Sequence, residues 1–353
     1  MRNSAPIQGV KKILVIRNDG IGDLLNSTPA ISALREAYQD AHISVVVKPP
    51  GADMLILNPH VEEILIYDTD GQHGSLKSRW RFLKQLRAAH YDMAVVLRNS
   101  SESNFMAYIS GARYRIGRRS ERKRFSFTLT HAITFRDPKG TRHETERNMD
   151  VARLVGAVDA PRELVLRLSE EERAWARDFL HRNAQSDASL IVGVHPGGSS
   201  FDKLWPAENF ASVANQLMQD YQAKIILFGG RGEDDLVRKI QDEMTSPPIL
   251  ATNIQLRQFA ALVEECSLFL CNDSGPMHIA AALKVPTVAI FGPTDYVRWK
   301  PLNENTVIVR RDIDCWPCSA HKCKRDFECT KLLSIEDVWN AIIKAFQDYV
   351  VKE

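Results

Sequence analysis

Residues 11–38, KKILVIRNDGIGDLLNSTPAISALREAY, decide the fold. Ile13 to Ile16 form a short, largely β-branched run, Gly20 and Gly22 loosen the loop that follows, and Leu24, Leu25, Ile31 and Leu34 then recur at helical spacing. The stretch reads as strand, loop, helix. The same grammar returns in HISVVVKP (42–49), VEEILIYD (61–68) and YDMAVVLRN (91–99). Uninterrupted apolar strands of this kind belong to parallel sheets covered on both faces. After a polar stretch, SEEERAWARDFLHRN (169–183), in which Ser169 can cap a helix, the pattern starts again with SLIVGVHPGG (189–198). It continues through AKIILFGG (223–230), CSLFLCNDSG (266–275) and PTVAIFGPTD (286–295).

The expected architecture is therefore α/β with two Rossmann-like domains. An N-terminal domain spans 1–165, a linker helix region 166–188 and a second domain 189–333, and a capped helix at 334–353 closes the chain. In such sheets ligands bind at the carboxyl ends of the strands, where the glycine-rich and polar stretches fall.

Composition narrows the function. Lys plus Arg number 46 against 44 Asp plus Glu, a net charge of +2, so nothing argues for nucleic acid as a partner. The apolar run Ile13–Ile16 is far shorter than a signal peptide's hydrophobic segment, and no run is long enough to span a bilayer. A cytoplasmic protein is expected, with any membrane contact peripheral.

Four loops carry the candidate chemistry. In Arg17-Asn18-Asp19-Gly20-Ile21-Gly22-Asp23 a carboxylate stands beside two glycines that let a ligand approach the backbone; the plainer reading is that Asp23 caps a helix. A dinucleotide fingerprint would need a third glycine where Leu25 stands. In GVHPGGSSFDKLWP (193–206), Gly197, Gly198 and Ser199 can turn N–H groups toward an anion, and Lys203 adds a compact positive charge. In FGGRGE (228–233), Glu233 is placed to accept ribose hydroxyls. In CNDSGPMH (271–278), a helix starting near Gly275 offers N–H groups to a diphosphate, with Asp273, Ser274 and His278 beside it.

Together these loops resemble glycosyltransferase family 9, the ADP-heptose:lipopolysaccharide heptosyltransferases, over nearly the whole chain. The resemblance implies a GT-B fold, its two domains facing across a cleft, with acceptor in the first domain and donor in the second. It implies Asp23 as catalytic base of an inverting transfer; Arg17, Gly22, Arg118 and Arg119 are candidates for the acceptor side. Gly198, Ser199, Lys203, Glu233, Asp273, Ser274, Gly275 and His278 would hold the donor. The implied donor is a nucleotide sugar, ADP-heptose, with no further cofactor required. The implied acceptor is a lipopolysaccharide core or lipid-linked glycan met at the inner face of the cytoplasmic membrane.

Three further features stand apart from these loops. Residues 111–124, GARYRIGRRSERKR, hold seven basic residues against Glu121 alone, and suit either a solvated loop or a patch for anionic lipid. Cys315, Cys318, Cys323 and Cys329 are close enough in sequence to bind zinc, but cysteines are common here in the family, which implies a structural loop. Asp68-Thr69-Asp70, before Gly71, reads as a turn. Two rival functions are an NAD-dependent oxidoreductase and a non-catalytic sugar-nucleotide or lipid-binding protein in which Asp23 only caps.

Overall fold

Ile13, Leu14, Val15 and Ile16 have no solvent exposure at all, because the strand that contains them lies in the middle of a covered sheet. The computed structural model describes residues 5–135, 140–158, 161–183, 190–198, 200–316, 318 and 323–350. It divides into two units, Met1–Arg167 and Leu168–Glu353.

In the first unit the strands are β1 (Lys12–Ile16), β2 (His42–Val47), β3 (Glu63–Ile66), β4 (Met93–Val96), β5 (Tyr114–Arg118) and β6 (His131–Ile133). They form one parallel sheet in the order β3-β2-β1-β4-β5-β6. Val15 pairs with Val45 on one side and Val95 on the other. The chain leaves β1 toward one edge and returns to β4 toward the other, so the strand order reverses at the carboxyl end of β1, where such sheets bind ligands and where Arg17 to Asp23 follow.

The second unit repeats the plan with β7 (Ile191–His195), β8 (Lys224–Gly229), β9 (Ile249–Thr252), β10 (Leu268–Asn272), β11 (Thr287–Phe291) and β12 (Thr306–Arg310). Their order is β12-β11-β10-β7-β8-β9, again all parallel. β7 now holds the central place, with β10 and β8 beside it. Three of the four loops singled out above leave these three neighbouring strands at the same end, which is why residues 70 apart in sequence can meet. The expected α/β class and GT-B plan of two Rossmann-like sheets hold.

Of the segments expected as a linker (166–188) and as a closing helix (334–353), the helices Glu170–Asn183 and Ile335–Ala345 both fall in the second unit. Ser169 caps the helix Glu170–Asn183 as anticipated, exchanging bonds with Glu172 (Glu172 N to Ser169 Oγ 3.2 Å; Ser169 N to Glu172 Oε2 2.7 Å). That helix is tied to the helix Leu256–Glu264 by Arg257 on Glu172 and Arg173 on Glu264. Ser334 and Asp337 make a capping box for the helix Ile335–Ala345, whose Val338, Ala341, Ile342 and Ala345 join the core of that unit. Asp68 makes the expected turn, its carboxylate accepting from the N–H groups of Asp70, Gly71 and Gln72.

Gly193 lies within β7 because the space beside it is already filled: a Cβ there would come within 2.9 Å of Cys266 Sγ and of the Phe269 ring. Gly193→Ala should therefore lower stability by about 1–3 kcal/mol, read as a shift in the urea unfolding midpoint; an unchanged midpoint would show that the strand can give way there.

Candidate active site

In the first unit, β1 delivers Arg17 into the interior at 2% exposure. A guanidinium cannot lose its charge, so each of its donors must be met by protein. Nη1 donates to the carbonyl of Leu97 (2.8 Å), Nε to the carbonyl of Asp23 (3.1 Å) and Nη2 to Asp23 Oδ1 (2.9 Å). Asp19 Oδ1 lies 3.1 Å from Nε, and Glu144 Oε1 3.7 Å from Nη2. Asp23 stands third in the helix Ile21–Leu25, which starts after Gly20, so it is not the cap. Its side chain keeps a third of its surface exposed while Arg17 fixes one oxygen.

The helix Glu144–Arg153 locks this arrangement from the other side. Glu144 receives Arg118 Nη2 at 3.0 Å, and Asn148 receives the same nitrogen at 2.8 Å. Asn148 Nδ2 donates to the Asn26 carbonyl and to Ser27 Oγ, at the end of the Asp23 helix. Two sequence expectations change here. Arg118 is only 6% exposed and committed to Glu144, so it reaches neither a lipid headgroup nor an open acceptor; burial brings its pKa down to about 10. Gly22 is buried, with its carbonyl taken by Asn26, so its backbone supports packing and does not open to a ligand. Arg119 is exposed, as a surface contact requires. Glu144 and Asn148 went unnoticed in sequence, where HETERN looks like an ordinary polar helix start.

In the second unit, Lys203 Nζ lies 3.0 Å from Asp273 Oδ2, joining the turn after β7 to the end of β10. Asn272 clamps the same two loops. Its Oδ1 accepts from Trp205 N (3.2 Å) and its Nδ2 donates to the Pro196 carbonyl (2.6 Å). The helix Gly275–Ala282 begins beside Asp273 with no side-chain cap from Ser274 and with Pro276 in its first turn, leaving its positive end to an anion. His278 is buried in that first turn.

Glu233 reaches back across the loop after β7. Its Oε2 accepts from Gly230 N (2.7 Å) and lies 3.5 Å from His195 Nε2. A Cβ at Gly197 would fall 1.9 Å from Glu233 Oε1, so a side chain there would push the carboxylate out of this position. Burial lowers the pKa of His195, holding it neutral beside Glu233. Gly198 lies in the same loop, and Ser199 lies outside the described residues. The structure thus gathers Lys203, Glu233, Asp273, Gly275 and His278 at the carboxyl ends of neighbouring strands of one sheet, and adds His195 and Asn272.

Cys315, Cys318, Cys323 and Cys329 are free thiols that line one cavity of about 440 Å³ with Trp316 and Phe327. Among the described residues no group of three or more His, Cys, Asp or Glu is arranged to hold a metal.

Two outcomes follow from the first-unit cluster. Glu144→Ala would leave the buried guanidiniums of Arg17 and Arg118 short of a counter-charge and should cost about 3–5 kcal/mol, measurable by urea denaturation. Asp19 has its pKa raised from 3.8 to about 6, chiefly because burial strips water from its carboxylate, with Arg17 pulling the other way. A raised carboxyl favours the fold when protonated, so its contribution is complete below pH 3.8 and is lost as pH rises through about 6. Asp19→Asn should flatten the decline of the urea midpoint across that window; parallel profiles for the two proteins would refute the assignment.

Residues 79–327 match glycosyltransferase family 9 (heptosyltransferase). Lipopolysaccharide heptosyltransferase 2 of Salmonella typhimurium is 30% identical over 316 residues, covering 85% of this chain and 88% of that protein. The crystal structure of a family 9 glycosyltransferase from Veillonella parvula superposes with a TM-score of 0.86 at 26% identity, covering 98% and 100% of the two chains. That of E. coli ADP-heptose lps heptosyltransferase II gives 0.76 at 24% identity, covering 95% and 98%.

Proposed function

Because the chain belongs to glycosyltransferase family 9, the heptosyltransferases, we propose that this transferase moves a heptose from ADP-heptose to a lipopolysaccharide core or similar glycan, with inversion and with Asp23 as base. The observation that supports Asp23 most directly is its tether to Arg17. A carboxylate that merely capped a helix would point at backbone N–H groups; this one has one oxygen fixed by a buried guanidinium and stays partly exposed.

Asp23 takes the proton of the acceptor hydroxyl as that oxygen bonds to the anomeric carbon. The bond from that carbon to the diphosphate breaks on the opposite face, and ADP leaves with the electron pair. Lys203 and the start of the helix Gly275–Ala282 meet the charge that builds on the diphosphate. Lys203 is paired with Asp273, so donor phosphate and sugar hydroxyls would divide that ion pair between them. Glu233, fixed by Gly230 N, faces the ribose. Arg119 remains on the acceptor side, and Arg17 acts as a positioning residue through Asp23.

Among the described residues no helix is long and apolar enough to cross a membrane. We place the protein in the cytoplasm, working at the inner face of the membrane, where a lipid-linked acceptor is presented.

ADP release from ADP-heptose, measured with and without deacylated lipopolysaccharide core, tests the reading, with other ADP- and UDP-sugars as a panel. Asp23→Ala should lower acceptor-dependent turnover roughly 10²–10⁴-fold while donor affinity stays near wild type. Full turnover in that variant would remove Asp23 from the mechanism, and turnover with every sugar except heptose would remove the donor assignment.

A further inference from the structure

The loop after β5 does more than carry charge. Phe125 takes a left-handed backbone (φ 61°), a conformation that a bulky residue holds only when its surroundings impose it. Ser126 Oγ donating to the Ser120 carbonyl and Thr128 Oγ1 donating to the Phe125 carbonyl impose it here. The effect is to turn Phe127 outward at 78% exposure.

Phe127 is not isolated. Its ring neighbours Phe125 (6.4 Å between centroids), which neighbours Tyr108 (6.4 Å) and Phe105 (4.8 Å); Phe105 meets Trp80 at 6.4 Å. Trp80 is 53% exposed, and Leu76, one helical turn before it, is 76% exposed. This is a continuous aromatic ridge on a surface where single apolar residues are ordinary and a row of them is not.

Both flanks of the ridge are basic. Lys77, Arg81 and Lys84 are exposed on the helix Leu76–Ala88, Lys77 and Lys84 at three and four residues from Trp80. On the other side Arg119, Arg122, Lys123 and Arg124 line a recess of about 730 Å³ with Phe127, and Glu121 is the one acid in the loop. Apolar rings flanked by cations fit a surface that is anionic outside and hydrocarbon just beneath.

We propose that this ridge docks the protein on an anionic phospholipid bilayer, with Phe127 and Trp80 entering the interface and the flanking Lys and Arg side chains resting on headgroup phosphates. It deepens the functional reading above and rests on it in one respect only, that a lipid-linked acceptor is met at such a surface. A solvated basic loop would need no aromatic centre, and a site for soluble polyanions would not hold Phe127 out by a strained turn.

The test is co-sedimentation of the full chain with phosphatidylcholine vesicles with and without phosphatidylglycerol, at low and high salt. Wild type should bind the anionic vesicles. Replacing Arg122, Lys123 and Arg124 with Ser should weaken binding roughly a hundredfold at low salt, at about fivefold per cation. Trp80→Ser with Phe127→Ser should weaken it about tenfold or more and abolish what survives high salt. Brominated lipid should quench tryptophan emission in wild type, and Trp80→Phe should bind normally while losing most of that quenching. Failure of wild type to sediment, or wild-type binding by both multiple variants, overturns the proposal. So does loss on removing the cations with no effect of the aromatics and no quenching, which would assign the surface to soluble polyanions. Turnover on deacylated acceptor should be unchanged in all variants. Docking without any sugar transfer would sink the functional reading and leave the surface standing.

Discussion

A permanently charged guanidinium, buried at the end of the first strand, constrains more of the first unit than any other group. Arg17 must find a partner for each of its N–H groups without water, and the partners it finds are the Leu97 carbonyl from the neighbouring strand end and both the carbonyl and the carboxylate of Asp23. Orientation of the candidate base is therefore a by-product of satisfying a buried charge. The carboxylate of Glu144 lies between Arg17 and Arg118, and Asn148 on the same helix reaches the residues that follow Asp23. Stability and site geometry are built from the same bonds, so neither can be changed alone.

The second unit solves a different problem with the same sheet. Its loops bring charged groups of both signs together at the carboxyl ends of three neighbouring strands. Lys203 rests on Asp273, and Glu233 rests on Gly230 N and beside a neutral His195, so the charges of Lys203 and Glu233 each have a protein partner. The bare start of the helix Gly275–Ala282 adds a charge that needs no counter-ion. Asn272, at the end of β10, holds these loops together through two backbone groups of the turn after β7.

How much of this was legible beforehand depends on the range of the interaction. Eight of the twelve strands of the described residues, the helix caps at Ser169 and Ser334 and the Asp68 turn were readable because each is decided within a few residues, whereas β5, β6, β9 and β12 lie in stretches without so clear an apolar run. Asp23 was readable as a candidate but not as a tethered carboxylate, since its tether depends on Arg17 being buried. The basic run 111–124 looked uniform, and the structure divides it: Arg118, the last residue of β5, points inward to Glu144, while Arg119 and its followers face solvent. Alternation along a strand makes that division, and a count of charges cannot see it.

The sequence by itself determined two parallel α/β units, the loops at their strand ends and the residue types those loops offer, because periodicity and turn chemistry are local. Only the tertiary structure decided which of those residues meet. Lys203 finds Asp273, Glu233 crosses Gly197 to His195, and Phe127 joins Trp80 through two intervening rings, Phe125 and Phe105. Each is a pairing between elements that strand order alone makes neighbours, and strand order is fixed by how the whole sheet buries its faces.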